Sequence, residues 1–211
     1  MRINKKKFIY LISPNKIYPE FYIDLKKVVK TGKVGLFQLR LKTYSIKQKI
    51  LIGKKIHQIC KKYNVKFLVN DDPILSKKLN ADGCHLGQKD MNISDARKVI
   101  GSKIIGITCH NSIDLAKAAI KDKADYIAFG AFFSSKTKKV KYKATPKILN
   151  KVKKISKIPM VAIGGININN YKKLLLNNAN FLAISGYVWN NKEYKPVESI
   201  KKLIWKLMQE K

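Results

Sequence analysis

Arginine and acidic side chains are scarce in this chain. Of its 45 basic residues only Arg2, Arg40 and Arg97 are arginine, and only 13 residues are acidic, leaving a formal net charge of +32. A charge of that size invites a nucleic-acid reading. Readers of bases and phosphates, however, lean on the planar guanidinium fork, which is nearly missing here. The lysines are also spread over almost every helix-like segment rather than gathered in one block. They read as a solvated coat that argues against nucleic acid as the partner while still attracting small anions.

Cysteine offers no framework either. Cys60, Cys84 and Cys109 are an odd, scattered set without Cys-x-x-Cys spacing, which argues against a disulfide scaffold and a structural zinc site. No apolar run approaches the roughly 18 residues needed to cross a membrane. Lys5, Lys6 and Lys7 do precede the apolar residues 8–12. That run is shorter than the roughly 7–15 residues of a signal-peptide core, and Ser13-Pro14 ends it. We expect a first strand in a cytoplasmic protein. No Gly-x-Gly-x-x-Gly follows it, which counts against an open, doubly wound dinucleotide fold.

What is present is alternation. Short β-rich runs at 8–13, 34–39, 66–70, 82–86, 104–109, 126–130, 160–165 and 181–186 alternate with amphipathic stretches. The latter fall at 20–31, 45–62, 73–79, 94–100, 111–122, 144–156, 169–177 and 196–210, and Ile200, Leu203 and Ile204 illustrate their helical spacing. Strict alternation predicts a parallel sheet covered by helices. Eight repeats in 211 residues predict one (β/α)8 TIM barrel, a single α/β domain over residues 1–211. An internal echo accompanies them: Asn80-Ala81-Asp82, Lys123-Ala124-Asp125 and Asn178-Ala179-Asn180 each precede an even-numbered strand.

A barrel of this kind does its chemistry where its strands end. The second strand runs out through Gln38-Leu39-Arg40-Leu41-Lys42. Alternation sends Gln38, Arg40 and Lys42 to one side, an anion clamp in a chain with almost no other arginine. The third ends in Asn70-Asp71-Asp72, and the fourth leads through His85 and Gly87 to Asp90. Carboxylates on neighbouring strand ends suit Mg²⁺, which takes one or two of them and leaves its other positions to water and phosphate. Asp71 and Asp90 are the pair we expect. Asp72, before Pro73, is placed to cap the third helix instead, and His85 reads best as a packed, hydrogen-bonded core residue. Thr108 can donate a hydroxyl at the fifth strand end. His110 beside it is either a helix-entry residue or a base.

After the sixth strand, Ser134, Ser135, Lys136, Thr137 and Lys138 interleave hydroxyls with ammonium groups, a composition that fits either a phosphate loop or a flexible basic loop. We expect residues 131–144 to be the segment that closes over a ligand. Gly164-Gly165 and Ser185-Gly186 end the last two strands. Backbone N–H groups can approach an anion closely there, where phosphate sites recur in this fold.

Taken in order, Gln38-x-Arg40-x-Lys42, Asn70-Asp71, His85-x-Gly87-Gln88-x-Asp90, Thr137-Lys138, Ile163-Gly164-Gly165-Ile166 and Ser185-Gly186 resemble the motifs of the thiamine phosphate synthase family over about residues 34–190. The resemblance implies a transferase that joins hydroxymethylpyrimidine diphosphate to hydroxyethylthiazole phosphate, giving thiamine monophosphate and pyrophosphate. It implies that the C–O bond to diphosphate breaks first and that the thiazole nitrogen captures the resulting cation. Carried over, Gln38, Leu39, Arg40, Leu41, Lys42, Asn70, Thr108 and Lys138 would hold the pyrimidine diphosphate. Ser135, Lys136, Thr137, Gly165, Ser185 and Gly186 would hold the thiazole phosphate. Arg40, Thr108 and Lys138 would be the catalytic groups, and Asp71 and Asp90 would hold Mg²⁺. The chain departs from the family pattern at Ser135, Thr108, Phe181 and Ala183; the first two keep a hydroxyl. A related thiazole tautomerase barrel is the nearest rival, and the clamp and aspartate pair weigh against it. A lysine-coated nucleic-acid binder is the rival from another class, and it would show steep salt dependence. The partners expected are small-molecule substrates and no membrane, with a homo-oligomer left open.

Overall fold

The computed structural model describes residues 7–134 and 141–209. Eight parallel strands pair in sequence order and close on themselves: β1 (Ile9–Ile12), β2 (Val34–Leu39), β3 (Lys66–Asn70), β4 (Gly83–Leu86), β5 (Ile104–His110), β6 (Tyr126–Phe129), β7 (Met160–Ile163) and β8 (Phe181–Ile184). Register runs from Tyr10↔Leu36 on one side of β1 to Tyr10↔Ala183 on the other. Helices α1 (Phe21–Lys30), α2 (Ile46–Lys62), α3 (Pro73–Lys78), α4 (Ile93–Ile100), α5 (Ile113–Lys121), α6 (Lys147–Ile155), α7 (Lys172–Leu176), α8 (Gly186–Trp189) and α9 (Pro196–Gln209) follow the strands. The expected (β/α)8 barrel is the fold observed.

Each strand is buried on both faces, and its two residue sets go to different cores. Ile9 and Leu11 join the shell between sheet and helices. Tyr10 and Ile12 instead join Leu36, Leu68, Val161 and Phe181 inside the barrel. Phe181 thus fills the barrel interior. Helix starts follow the sequence. Ser45 accepts the Gln48 N–H at 3.3 Å while Gln48 accepts the Ser45 N–H at 2.9 Å, a reciprocal cap. Asn92 and Ser112 cap α4 and α5.

The echo before the even strands has a physical basis. Asn80, Lys123 and Asn178 all adopt left-handed backbone, with φ of 47°, 60° and 73°, which turns the chain off each helix. Two residues on, the side chains of Asp82, Asp125 and Asn180 accept the N–H groups of Phe67, Ile105 and Met160 at 2.8–2.9 Å. Their own N–H groups donate back to the carbonyls of those same three residues at 2.8 Å. The device staples the start of β3, β5 and β7 to the next strand, at the end of the barrel opposite the candidate site. Arg97 serves the same end, 3.0 Å from Asp125.

Two strands end two residues earlier than expected, and α6 and α7 start three residues later, at Lys147 and Lys172. Strand β7 stops at Ile163 because Gly164 and Gly165 leave extended backbone, at φ of +103° and +61°. Strand β8 stops at Ile184, and the added one-turn α8 begins at Gly186. Trp189 at its end donates Nε1–H to the Ile12 carbonyl at 2.7 Å, tying α8 to β1.

Candidate active site

Polarity changes along the barrel axis. Leu36, Leu68, Ile104, Val161 and Phe181 make the inner half apolar, whereas Gln38, Asn70, His85 and Thr108 line the C-terminal half. Gln38 and His85 are nevertheless buried, at 3% and 8% exposure, so their hydrogen bonds must be internal.

They are joined through two tyrosines. Gln38 Nε2 donates to the Tyr10 hydroxyl, which meets the Tyr126 hydroxyl, which meets His85 Nδ1; His85 Nε2 meets Thr108 Oγ1, each at 2.8 Å. Burial pushes both phenols well above their usual pKa, so both stay protonated. Burial also lowers His85 to about 4, against the opposing pull of Asp71, so its imidazole is neutral at neutral pH. The expectation of a packed, hydrogen-bonded histidine holds. The tyrosines escaped sequence reading because Tyr in a strand is ordinary core.

At the strand ends the charged groups gather. Arg40 lies half-buried beyond β2, its N–H donating to Ser13 Oγ at 2.9 Å and its guanidinium to Asn15 at 3.2 Å. Lys42 stands 3.1 Å from Asp71 Oδ2. Leu39 and Leu41, between them, are buried in the helix-facing shell, so only their main chain is left to meet a ligand. Asp71 sits in left-handed backbone (φ 64°), its N–H held by the His85 carbonyl at 2.8 Å. Asp72 caps α3 by accepting the Leu75 N–H at 2.8 Å, the alternative its neighbouring proline suggested.

Asp90 closes the turn after β4, accepting the Gly87 N–H at 2.7 Å. Burial raises its pKa; the Gly87 bond and Lys42 oppose that, and the carboxyl of Asp71, within hydrogen-bonding reach, adds to it. Two carboxylates crowded at neighbouring strand ends, one held above its normal range, are a pair that a divalent cation would relieve. The described residues contain no cluster of three or more His, Cys, Asp or Glu, which this two-carboxylate arrangement does not require. Gln88 ties the same turn to β5 by donating to the Thr108 carbonyl at 2.6 Å. His110 ends β5 at a bulge, with its ring 4.2 Å from that of Tyr142.

On the far side, Phe132 and Phe133 N–H groups donate to the Ile163 and Gly164 carbonyls at 3.1 Å. A Cβ on Gly165 would fall 2.2 Å from the Ser134 carbonyl oxygen. The glycine pair thereby seats the start of the loop after β6 directly on the end of β7. Ser185 donates to the Ser13 carbonyl at 3.2 Å. Ser135, Lys136, Thr137 and Lys138, and with them the centre of the 131–144 segment, lie outside the described residues. No helix among the described residues is long and apolar enough to cross a membrane.

Known proteins are similar to this chain in sequence and fold. The thiamine-phosphate synthase of Pelagibacter ubique (strain HTCC1062) is 64% identical over 207 residues, 96% of this chain and 100% of that protein. That of Erythrobacter litoralis (strain HTCC2594) is 39% identical over 196 residues, 90% of this chain and 92% of that one. The solved thiamine phosphate pyrophosphorylase from Pyrococcus furiosus superposes with a TM-score of 0.85 at 27% identity, covering 98% of this chain and 97% of that one. A family model described as thiamine monophosphate synthase matches residues 9–188, and the chain belongs to that family.

Proposed function

We propose that this chain is a working, Mg²⁺-dependent thiamine-phosphate synthase, a single-domain cytoplasmic transferase whose partners are its two small-molecule substrates. It joins hydroxymethylpyrimidine diphosphate to hydroxyethylthiazole phosphate. One C–O bond breaks, one C–N bond forms, pyrophosphate leaves with the bonding electron pair, and the attacking thiazole nitrogen has no proton to lose. The observation that carries this reading is the crowding of Asp71 and Asp90 beside Lys42, two residues beyond Arg40 on the end of β2. A tautomerase has no need of that arrangement.

In this reading the barrier is charge separation, so rate comes from groups fixed where negative charge develops. Arg40, Lys42, Thr108 and Lys138 neutralise or hydrogen-bond the departing diphosphate, while Gln38 and Asn70 hold the pyrimidine end. Asp71 and Asp90 hold Mg²⁺, which when bound supplies further neutralisation of the diphosphate. Ser135, Lys136, Thr137, Gly165, Ser185 and Gly186 form the cradle for the thiazole phosphate. The test is to mix the protein with both substrates and Mg²⁺ and follow pyrophosphate release. Release that stops when Mg²⁺ is chelated supports the reading. No release, with the thiazole tautomer interconverting instead, replaces it with the tautomerase.

A further inference from the structure

The chain of hydrogen bonds from Gln38 to Thr108 joins two groups that the proposed function places on opposite parts of one substrate. Its five members come from five strands, β2, β1, β6, β4 and β5 in turn, and the four bonds between them are each 2.8 Å long. Tyr10 and Tyr126 are 1% and 0% exposed, so no water competes for their single protons. Counting those protons leaves two consistent arrangements. In one, the Gln38 amide donates to Tyr10, Tyr10 to Tyr126, Tyr126 to His85 Nδ1, and His85 Nε2–H to Thr108. The Thr108 proton then points outward and the Gln38 carbonyl oxygen is left as an acceptor. In the other, every bond is reversed, Thr108 donates inward, and Gln38 offers only N–H groups. No member can turn alone without leaving a buried polar atom unpaired and its desolvation uncompensated.

We propose that Tyr10, Tyr126 and His85 are positioning residues that lock the two ends together, so that an anion accepting the Thr108 proton fixes Gln38 as an acceptor for an amino group on the substrate ring. The proposal rests on the synthase reading, whose pyrimidine substrate carries both an amino group and a diphosphate. Either end alone would tolerate either polarity. Together they select a ring that is amino-substituted and an ester that is charged.

The experiment first needs only the unmodified protein. Equilibrium binding is measured, without thiazole phosphate, for the aminopyrimidine diphosphate and its 4-oxo analogue, and again for the two corresponding unphosphorylated alcohols. The chain predicts an amino-over-oxo preference about tenfold larger in the diphosphate pair; equal preferences in the two pairs overturn it. A second arm combines Gln38→Ala with Thr108→Val in the native background and in Tyr126→Phe. Coupled ends predict losses that depart from multiplicative by about fivefold in the native background, and by less than about twofold once Tyr126→Phe has cut the chain. Multiplicative losses in the native background, or coupling that survives Tyr126→Phe, overturn it. Tyr10→Phe cuts a different link and replaces Tyr126→Phe if that variant does not fold. Failure of the native protein to bind the diphosphate or release pyrophosphate would instead remove the synthase reading itself.

Discussion

Tyr126 lies across Gly106 on the neighbouring strand, so closely that a Cβ on Gly106 would stand 1.8 Å from the Cζ of the phenol. Nothing in the backbone angles at 106 demands glycine; the ring does. Gly106→Ala is therefore expected to push Tyr126 out of line with Tyr10 and His85. Overpacking of this kind costs about 1–3 kcal/mol, and urea unfolding would register it. Unchanged stability would mean that the ring has another place to go.

Removing Asp71 separates a metal role from a structural one. Its ion pair with Lys42 is more than half exposed on the lysine side, and such pairs contribute only about 0–1 kcal/mol. Asp71→Asn should thus leave the fold and melting temperature nearly unchanged. Pyrophosphate release should fall at least about a hundredfold, and half-saturation should shift to higher Mg²⁺. A variant that keeps native activity and native Mg²⁺ dependence would place the cation elsewhere.

His85 gives the stability a pH dependence with a definite sign. Burial holds it at about 4 in the folded protein, against 6.5 for the free side chain. Between those values the unfolded chain binds a proton that the folded chain does not, so unfolding is favoured as pH falls from 6.5 towards 4. The native state regains on the order of 3 kcal/mol as pH rises across that window. Asp90, raised rather than lowered, contributes with the opposite sign. Unfolding free energies at pH 4.5 and 7 should differ less in His85→Gln than in the native protein. An unchanged slope would assign the window to other groups.

Much of this was legible along the chain because it is written locally. Left-handed Asn80, Lys123 and Asn178 followed by Asp82, Asp125 and Asn180 repeat within three residues, so an echo survives in the sequence. Asp72 before Pro73 is likewise a local cap. The interior chain is not local: Tyr10 and Tyr126 are 116 positions apart, and each looks like ordinary strand core until the barrel closes. The glycine pair was half legible. Its freedom near an anion follows from residue type, but the tight seat it provides for the backbone at Ser134 depends on a loop from another strand. Helix α8 is too short to carry a periodicity.

Arg40 and Gly165 should divide the two substrates between them. Among the described residues the Arg40 guanidinium, at the end of β2, makes one hydrogen bond, of 3.2 Å to Asn15 in the loop after β1. Arg40→Ala is expected to raise KM for the pyrimidine diphosphate about 10- to 100-fold, the range for a charge-assisted hydrogen bond worth about 1.5–3 kcal/mol. KM for the thiazole phosphate should change little. Arg40→Lys should not restore it fully, since an ammonium lacks the planar fork. Equal losses for both substrates would move Arg40 out of the diphosphate clamp.

Gly165→Ala should produce the mirror image. Position 165 has φ of +61°, and its new Cβ would lie 2.2 Å from the Ser134 carbonyl oxygen and 2.9 Å from Phe133. Backbone strain of about 1 kcal/mol or more adds to that clash. The cheaper response is for residues 133 and 134 to lift off the end of β7, because the strand itself is held on both sides by its neighbours. Lifting them moves the start of the loop assigned to the thiazole phosphate and leaves the β2–β4 mouth untouched. Initial-rate kinetics should therefore show a rise in KM for the thiazole phosphate of about tenfold or more, and a smaller rise for the pyrimidine diphosphate, which this loop meets through Lys138 alone. A variant that weakens the pyrimidine diphosphate more than the thiazole phosphate would mean that the loop after β6 serves mainly that pocket, and the division into two anion sites would have to be redrawn.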